Sequence, residues 1–430
     1  MAYKNTFKDI QSFVSYSLFE KKEVILNLKN KNISKEQLAK LSSCLQNYND
    51  LQTLELELDE NSIDDDGILI LLNNLQEFKN LATLKLSLKS NQIQSQGANS
   101  IAQYLQKYKK LIKLEINLIE NQIGFKEISD IINQISTIST IQNLNLDLRQ
   151  SNLGDFSGQF LNIISTSLLN LTSLYLNLSE NKITYFGAQL LAEGLVKCSQ
   201  LTYLHLYLLQ IYLFQFLIIN LSKLIYFKSN NQISNQGAIS IGQALSSCIN
   251  LTQLWLNISN NQIKYRGASM IGQGLANCTQ ITTLQLLLWK NQIQDLGVFG
   301  ICTAISNYQN LNYLELHLSE NEIGNKGAFN IGECIEKLPN LRHLNLNFSL
   351  CKLNSKGQKK LGICISRCIN LSSVILGIIG TGYLTSEELK NCKNIKCLVI
   401  QAKQYIRQIF YTRLIRRALK IKRLVKFSFL

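Results

Sequence analysis

The stretch LTQLWLNISNNQIKYRGASMIGQGLANCTQ, residues 251–280, contains the pattern that decides the fold of this chain. Its first third alternates apolar and polar residues through Leu254, Leu256 and Ile258, which is typical of a strand with one buried face. From Gly267 to Cys278 the apolar residues recur with helical spacing. The stretch therefore predicts one strand, one turn and one helix.

The same pattern recurs every 30 residues over most of the chain. A fixed period of this length is typical of a solenoid, in which right-handed crossovers place parallel strands on one side and helices on the other. The sequence thus predicts an α/β solenoid. The units begin at Leu51, Leu81, Leu111, Ile141 and Leu171 and, after one irregular stretch, at Leu221, Leu251, Ile281, Leu311, Leu341 and Leu371.

Two further columns of the repeat are interpreted as structural. A buried asparagine amide can bond backbone groups that stay unpaired where the chain leaves the strand. A glycine at the helix start lets that helix lie close to the previous coil. The asparagine column contains Asn61, Asn91, Asn121, Asn181, Asn231, Asn261, Asn291 and Asn321, and the glycine column contains Gly67, Gly97, Gly187, Gly237, Gly267, Gly297, Gly327 and Gly357.

The unit L-x-x-L-x-L-x-L-x-x-N-x-I resembles the leucine-rich repeat family, and in particular its ribonuclease-inhibitor-like subtype. It is also similar to repeats abundant in ciliate proteins. The resemblance implies a curved right-handed horseshoe with parallel strands on the concave face and helices on the convex face. Almost every copy inserts two residues before the asparagine, as in Leu84-x-Leu86-x-Leu88-x-x-Asn91. The insertion should lengthen each strand or widen its turn.

The period also predicts the domain organisation. Residues 1–20 are expected to form an N-terminal capping helix, residues 21–394 the repeat array, and residues 395–430 a basic C-terminal capping unit. Within the array, residues 201–220 are expected to be one shortened unit. The apolar residues of the predicted capping helix are Phe7, Ile10, Phe13, Val14 and Leu18.

The irregular stretch LTYLHLYLLQIYLFQFLIIN, residues 201–220, approaches the length of a membrane span. Polar residues interrupt it, and a span here would put equivalent repeats on opposite sides of a bilayer. A shortened coil without its helix, or a faulty gene model, is therefore favoured over a span.

The positive charge is concentrated at the C-terminal end. Of the formal net charge of +15, 12 positive charges lie in residues 390–430, which contain no Asp or Glu. There the strand-like pattern of residues 395–400 recurs 29 residues later, so the basic stretch between is expected to be an outer helix. Three roles are open for its basic face: a solvated face on a cap, a contact with an anionic membrane surface, and, least favoured, a nucleic-acid contact. The face comprises Arg413, Arg416, Arg417, Lys420 and Arg423.

The 11 cysteines indicate an intracellular, cytoplasmic protein rather than a secreted one, because the first residues lack the apolar core of a signal peptide. Cys198, Cys248, Cys278 and Cys368 share a column with Phe, Tyr, Ile and Leu, which predicts buried apolar filler. The spacing of Cys364 and Cys368 with Cys392 and Cys397 resembles a zinc site only weakly. No metal or cofactor is predicted.

Motifs of the common enzyme classes are absent from the sequence. It contains no phosphate-binding loop, no G-x-S-x-G, no H-E-x-x-H and no kinase motifs. Acidic residues 64–66 are interpreted as solvated surface. We therefore expect no catalytic residues, no enzyme activity and no small-molecule substrate.

Aromatic residues and histidines are enriched at the polar positions of the strands, which face away from the helices. Exposed aromatics on one surface are the usual anchors of protein interfaces, although large side chains that only cover the strands would look the same. The predicted partner-binding residues are Tyr175, Tyr203, His205, Tyr207, Trp255, Trp289, Tyr313, His317 and His343. The N-terminal strands instead carry the acidic residues Glu55, Glu57, Asp59, Glu60, Glu115 and Glu120.

The family resemblance implies a non-enzymatic scaffold that binds a protein partner through the concave strand face. Two alternatives remain. One is a regulator of a small GTPase, which the basic end disfavours because GTPase activators of this family usually carry an acidic tail. The other is an adaptor that reaches a membrane or nucleic acid through the basic C-terminal helix.

Overall fold

The computed structural model describes residues 6–15, 22–48, 50–73, 78–209, 231–378, 395–402 and 424–429. In these residues 15 strands form one parallel sheet in chain order, and a helix follows each of the first 12 strands. The predicted α/β solenoid is therefore confirmed. The strands are β1 (Thr6–Phe7), β2 (Glu23–Asn27), β3 (Thr53–Glu57), β4 (Thr83–Ser87), β5 (Lys113–Asn117), β6 (Asn143–Asp147), β7 (Ser173–Asn177), β8 (Tyr203–Tyr207), β9 (Gln253–Asn257), β10 (Thr283–Leu287), β11 (Tyr313–His317), β12 (His343–Asn347), β13 (Ser373–Ile378), β14 (Cys397–Ala402) and β15 (Leu424–Phe429). The helices are α1 (Ile10–Ser15), α2 (Lys35–Leu45), α3 (Asp65–Asn73), α4 (Ser95–Leu105), α5 (Phe125–Ser136), α6 (Ser157–Ser167), α7 (Tyr185–Lys197), α8 (Ser234–Leu245), α9 (Tyr265–Leu275), α10 (Gln294–Ile305), α11 (Asn325–Glu336) and α12 (Ser355–Arg367).

The leucines of the repeat set the register of the sheet. Leu254 of β9 pairs with Leu284 of β10, and the same offset of one repeat joins neighbouring strands from β2 to β8 and from β9 to β13. These leucines are buried in one hydrophobic core that runs from Ile10 to Leu398. Burying each such side chain contributes about 2 kcal/mol. The sheet is therefore held by a continuous core rather than by separate domains.

The two inserted residues widen the turn and leave the strand short. β4 ends at Ser87, although Leu88 still donates its N–H to the carbonyl of Asn117 at 2.9 Å. Ser90 then adopts the left-handed backbone conformation, with φ of 54°. Asn91 follows directly. The turn thus accommodates the insertion that the family pattern lacks.

The asparagine column forms the ladder that the sequence predicts. The Oδ1 of Asn91 accepts the N–H groups of Asn61 and Ile63 at 3.1 and 2.9 Å. Its Nδ2 donates to the carbonyls of Leu58 and Leu88 at 3.0 and 2.9 Å. Each buried amide therefore joins two coils, and all of its bonding capacity is used inside the protein.

The helix starts are joined by a contact that the sequence interpretation missed. Asp155 accepts the N–H groups of Thr184 and Gly187 of the next coil, at 2.7 and 3.0 Å. A carboxylate here also opposes the positive end of α7. A Cβ on Gly187 would lie 2.5 Å from Asp155 Oδ1, which explains the glycine. The equivalent Asp65 accepts the N–H of Gln94 at 2.7 Å, so its interpretation as solvated surface was wrong.

The pairing offset of the sheet changes at the irregular stretch. β8 pairs directly with β9, with Leu204 opposite Leu254, 50 residues later rather than 30. Asn181 correspondingly donates its backbone N–H to the Oδ1 of Asn231 at 3.0 Å. Residues 210–230, which include most of the predicted shortened unit, lie outside the described residues. The shortened unit at residues 201–220 therefore stays a prediction.

Both ends differ in detail from the expectation. Phe7 lies in β1 rather than in a helix, and α1 comprises Ile10–Ser15 of the described residues, with Leu18 outside them. Phe13 is fully buried against Tyr48, with ring centroids 5.8 Å apart, whereas Val14 is exposed. At the C-terminal end Ile400 pairs with Phe427 after a register shift. The paired residues of β14 and β15 are therefore separated by two fewer residues of sequence than the 29-residue recurrence predicts.

The cysteine column is buried as predicted. Cys198, Cys248, Cys278 and Cys368 all belong to the hydrophobic core. Burial raises the pKa of the first three thiols to about 12, which keeps them protonated and unreactive near neutral pH. These residues therefore serve as packing.

Candidate functional site

The first, third and fifth residues of each five-residue strand form a continuous surface, which we call the strand face. The second and fourth residues of these strands are buried in the core, and successive side chains of a strand point to opposite sides. The strand face is therefore the side of the sheet directed away from the helices. All the predicted partner-binding residues except Trp289 lie on it, and Trp289 follows β10.

Five of these residues form one aromatic cluster on β7, β8 and β9. The imidazole of His205 stacks on the indole of Trp255, with ring centroids 4.0 Å apart and planes at 7°. Tyr175 contacts His205 edge-on at 6.1 Å and Tyr207 at 5.3 Å. Tyr203 is 41% exposed at the start of β8. The aromatic cluster is thus Tyr175, Tyr203, His205, Tyr207 and Trp255.

Burial within the aromatic cluster shifts the pKa values of three of its members. Burial lowers the pKa of His205, so the ring is neutral near pH 7. Burial raises the pKa of Tyr207 to about 12, and it also raises the pKa of Tyr175. Within the described part of the chain, His205 Nε2 and Trp255 Nε1 are buried without a hydrogen-bond partner. Unpaired buried donors cost free energy, so stability alone does not explain this arrangement.

The remaining predicted residues form a second group on β10 to β12. Trp289 lies 6.5 Å from His317, and Tyr313 lies 6.3 Å from His343, measured between ring centroids. His317 Nε2 bonds Ser319 Oγ at 2.9 Å and Asn347 Nδ2 at 3.0 Å. Burial raises the pKa of Tyr313 to about 12. The strand-face residues of β10 itself, Thr283, Gln285 and Leu287, carry no aromatic ring, so this group is separate from the aromatic cluster.

The N-terminal strand face is charged, but its acidic residues are largely paired. Lys85 Nζ lies 2.7 Å from Glu57 and 3.5 Å from Glu115. Although desolvation opposes it, the hydrogen bond to Glu57 raises the pKa of Lys85. Glu60 pairs with Lys29 at 2.9 Å, and Glu120 pairs with Lys89 at 3.5 Å. This region is therefore a mixed ionic network rather than the acidic wall that the sequence predicts.

An open groove of about 480 Å³ lies between the charged strands and the aromatic cluster. Its lining includes Asn143 and Asn145 of β6, which the sequence interpretation missed because they look like ordinary polar strand residues. Their position in the strand-face columns, beside the aromatic residues, was the available signal. The groove is lined by Lys113, Leu114, Glu115, Asn143, Leu144, Asn145, Thr172, Ser173, Tyr175, Thr202, Tyr203 and His205.

A second set of exposed aromatics lies at the edge where the helices begin. Phe125 and Phe156 are in ring contact at 5.0 Å, and Tyr185 and Phe186 start the next helix along. All four are exposed. We call these four residues the edge patch. It was not predicted, because the helix-start columns of other units carry polar residues such as Asn235 and Gln236.

The basic face, the weak zinc-like cysteine spacing and the membrane span gain no support from the described residues. The basic-face residues Arg413, Arg416, Arg417, Lys420 and Arg423 lie outside the described residues, as does Cys392. Among the residues that the structure places, no three His, Cys, Asp or Glu side chains are grouped so that they could hold a metal ion. No helix in the same part of the chain has the length and apolarity needed to cross a bilayer.

Comparisons with known proteins agree with the repeat. The family model described as leucine-rich repeat matches residues 310–332. A search of curated proteins gives no match.

Two solved structures resemble the chain distantly. The Rad7 and Elc1 complex of yeast is 16% identical, with 80% of this chain and 73% of that chain covered and a TM-score of 0.41. The actin-binding site 2 of leiomodin-1 is 15% identical, with 34% of this chain and 82% of that chain covered and a TM-score of 0.28. Likenesses this distant say nothing about what the present chain binds.

The matched residues contain β11 and the first turns of α11, joined by the turn that carries Asn321. The same strand, turn and helix recur along the sheet with the register of one repeat. The chain therefore has the fold of a leucine-rich repeat solenoid, and one of its units matches the family model.

Proposed function

We propose that this protein is a non-enzymatic scaffold that binds a protein partner through the strand face, with the aromatic cluster as its anchor. The observation that carries the proposal is the concentration of five aromatic or imidazole rings on three neighbouring strands. Aromatic side chains bury large areas at low entropic cost, and they dominate the energetics of protein interfaces.

Two properties of the cluster support a binding role. Tyr203 stays 41% exposed although it is large and apolar. The buried ring nitrogens His205 Nε2 and Trp255 Nε1 have no partner among the described residues, which a purely structural arrangement would avoid. Trp289, Tyr313, His317 and His343 would extend the contact along β10 to β12 if the partner is long enough to reach them.

The ribonuclease-inhibitor-like subtype, the similarity to ciliate repeat proteins and the cytoplasmic location are further parts of the proposal. The regulation of a small GTPase, and an adaptor role through contact of the basic face with a membrane or nucleic acid, are alternatives to it. The free thiols of all ten described cysteines agree with a reducing compartment. The domain boundaries at residues 20 and 394 also remain predictions.

Affinity capture with the full chain tests the proposal. The variant Tyr203→Ala, Trp255→Ala and Tyr313→Ala should lose at least 90% of the partner captured by the wild-type chain, by quantitative mass spectrometry, because hot-spot aromatics each contribute about 2 kcal/mol or more. Circular dichroism should show that the variant stays folded.

A matched control separates the strand face from general stickiness. Leu169, Ile249 and Ile369 are also exposed, at 71%, 55% and 75%, but they lie in the turns that precede β7, β9 and β13 rather than on the strand face. Their replacement by Ala should leave capture unchanged. Equal loss in both variants, or full capture by the aromatic variant, would contradict the proposal.

A further inference from the structure

The groove beside the aromatic cluster has a floor with unused hydrogen-bonding groups. Asn143 and Asn145 line it, and their side-chain amides have no hydrogen-bond partner among the described residues. The hydroxyl of Ser173, on the adjacent strand, is equally unused. Each asparagine amide offers two donors and one acceptor. The groove therefore presents both kinds of group to whatever enters it.

The spacing of the two amides matches an extended peptide. Asn143 and Asn145 are the first and third residues of β6, so their side chains leave the strand on the same face, about 6.7 Å apart. An extended polypeptide presents the backbone N–H and C=O groups of alternate residues to one side, with the same repeat of about 6.7 Å. A peptide that runs along β6 can thus bond both amides in register.

The walls of the groove suit the side chains of such a peptide. Lys113 and Glu115 of β5 lie on one side, and Tyr203 and His205 of β8 lie on the other. The strands β5 and β8 are three strand spacings apart, which is about 14 Å and wide enough for one extended chain. One wall offers charges of both signs, while the other offers a phenol ring and an imidazole ring. The volume of about 480 Å³ holds only a short segment.

We infer that the groove between β5 and β8 binds an extended peptide segment of the partner, with its backbone held by Asn143 and Asn145 and an apolar side chain against Tyr203. The inference rests on the proposed function and names the form of the ligand. Because the amides contact the backbone, they select for extended conformation. Sequence preference comes from the walls.

A phage-displayed library of random peptides supplies the probe. The peptides are selected on the full chain, labelled and measured by fluorescence anisotropy. They should bind the double variant with Asn143→Ala and Asn145→Ala about tenfold more weakly than the wild-type chain, as expected for two lost neutral hydrogen bonds. The control Asn345→Ala removes the same side chain from the column of Asn145 on β12, outside the groove, where the amide bonds the hydroxyl of Tyr313. It should bind like wild type.

N-methylation of the selected peptide gives the second readout. Methyl groups on alternate backbone nitrogens should abolish binding, and methyl groups on the intervening nitrogens should not, because only one edge of the peptide faces the amides. Failure to select any peptide, equal affinity for the double asparagine variant, or no alternation in the methyl scan would overturn the inference. If the peptides instead lose affinity only for the Tyr203, Trp255 and Tyr313 variant, the proposed function stands without the peptide-backbone contact.

Discussion

The asparagine ladder and the groove use the same amide side chain in opposite ways. Asn91 of the ladder is buried, accepts two N–H groups of the preceding coil and donates to one carbonyl of that coil and one of its own, all within 3.1 Å. Asn143 and Asn145 of the groove are half-exposed and have no side-chain partner among the described residues. The same residue type therefore stabilises the coil in one column and is free for a ligand in the other.

This difference shows how a repeat separates structure from function. A column whose bonds are satisfied internally cannot contact a partner without loss of stability, whereas a column that faces the open side of the sheet can vary freely between units. The aromatic cluster also occupies strand-face columns, where other units carry Thr, Lys or Gln. Stability measurements on the two classes should therefore diverge sharply.

The largest effect is expected for the ladder. Replacement of Asn91 by Ala leaves several buried backbone groups unpaired and should lower the free energy of unfolding by about 3 kcal/mol, measured by urea unfolding with circular dichroism. A loss below about 1 kcal/mol would show that water or rearrangement replaces the ladder bonds, and the contrast with the groove would break.

A smaller loss is expected at the junction of helix starts. Asp155→Ala removes the acceptor of two N–H groups of the next coil and should cost about 1 to 2 kcal/mol in the same assay. Asp155→Asn should be almost neutral, because Asn235 accepts the N–H of Gly267 at 2.7 Å in the equivalent contact. If Asn is as harmful as Ala, the carboxylate charge rather than the hydrogen bond stabilises the junction.

The groove asparagines should be nearly silent in stability. The variant Asn143→Ala, Asn145→Ala should change the free energy of unfolding by less than about 0.5 kcal/mol, as for surface residues without partners. Differential scanning calorimetry of this variant and of Asn91→Ala compares the two losses of stability directly. Destabilisation as large as that of Asn91→Ala would place the groove amides among the structural residues.

The smallest effect is a pH dependence from His205. Burial lowers its pKa, so the unfolded chain binds the proton more readily and stability falls as pH drops below the ordinary histidine pKa of about 6.5. His205→Gln should lose less stability than wild type between pH 7.5 and pH 5.5, by urea unfolding at both values. An identical pH dependence in the two proteins would show that the ring is solvated in the folded state.

The sequence predicts what depends on position within one unit. The spacing of Leu254, Leu256 and Ile258 is sufficient to predict the strand and its buried face, because both depend on alternation. The ladder is predicted by the fixed column of asparagines. Contacts between units are harder to predict from the sequence. The hydrogen bond that the Gly187 N–H donates to Asp155 joins two coils, and a carboxylate in a turn does not indicate its partner.

The limits at the candidate site have the same origin. The aromatic residues could be assigned to the strand face from the pattern alone, but their division into two groups depends on which strands are neighbours. β8 and β9 are neighbours although their paired residues are 50 positions apart, which the 30-residue period does not predict. The pairing of Lys85 with Glu57 and Glu115 likewise depends on three adjacent strands. The groove asparagines are distinguished by missing partners, which no sequence pattern records.

Hydroxyl-radical footprinting of the chain with and without its captured partner tests the central claim most directly. It compares two sets of rings on one molecule, the partly buried aromatic cluster of the strand face and the exposed edge patch at the helix starts. The account predicts that oxidation of Tyr175, Tyr203 and Trp255 falls on binding while oxidation of Phe156, Tyr185 and Phe186 is unchanged. Protection of the edge patch with an unprotected strand face would contradict it.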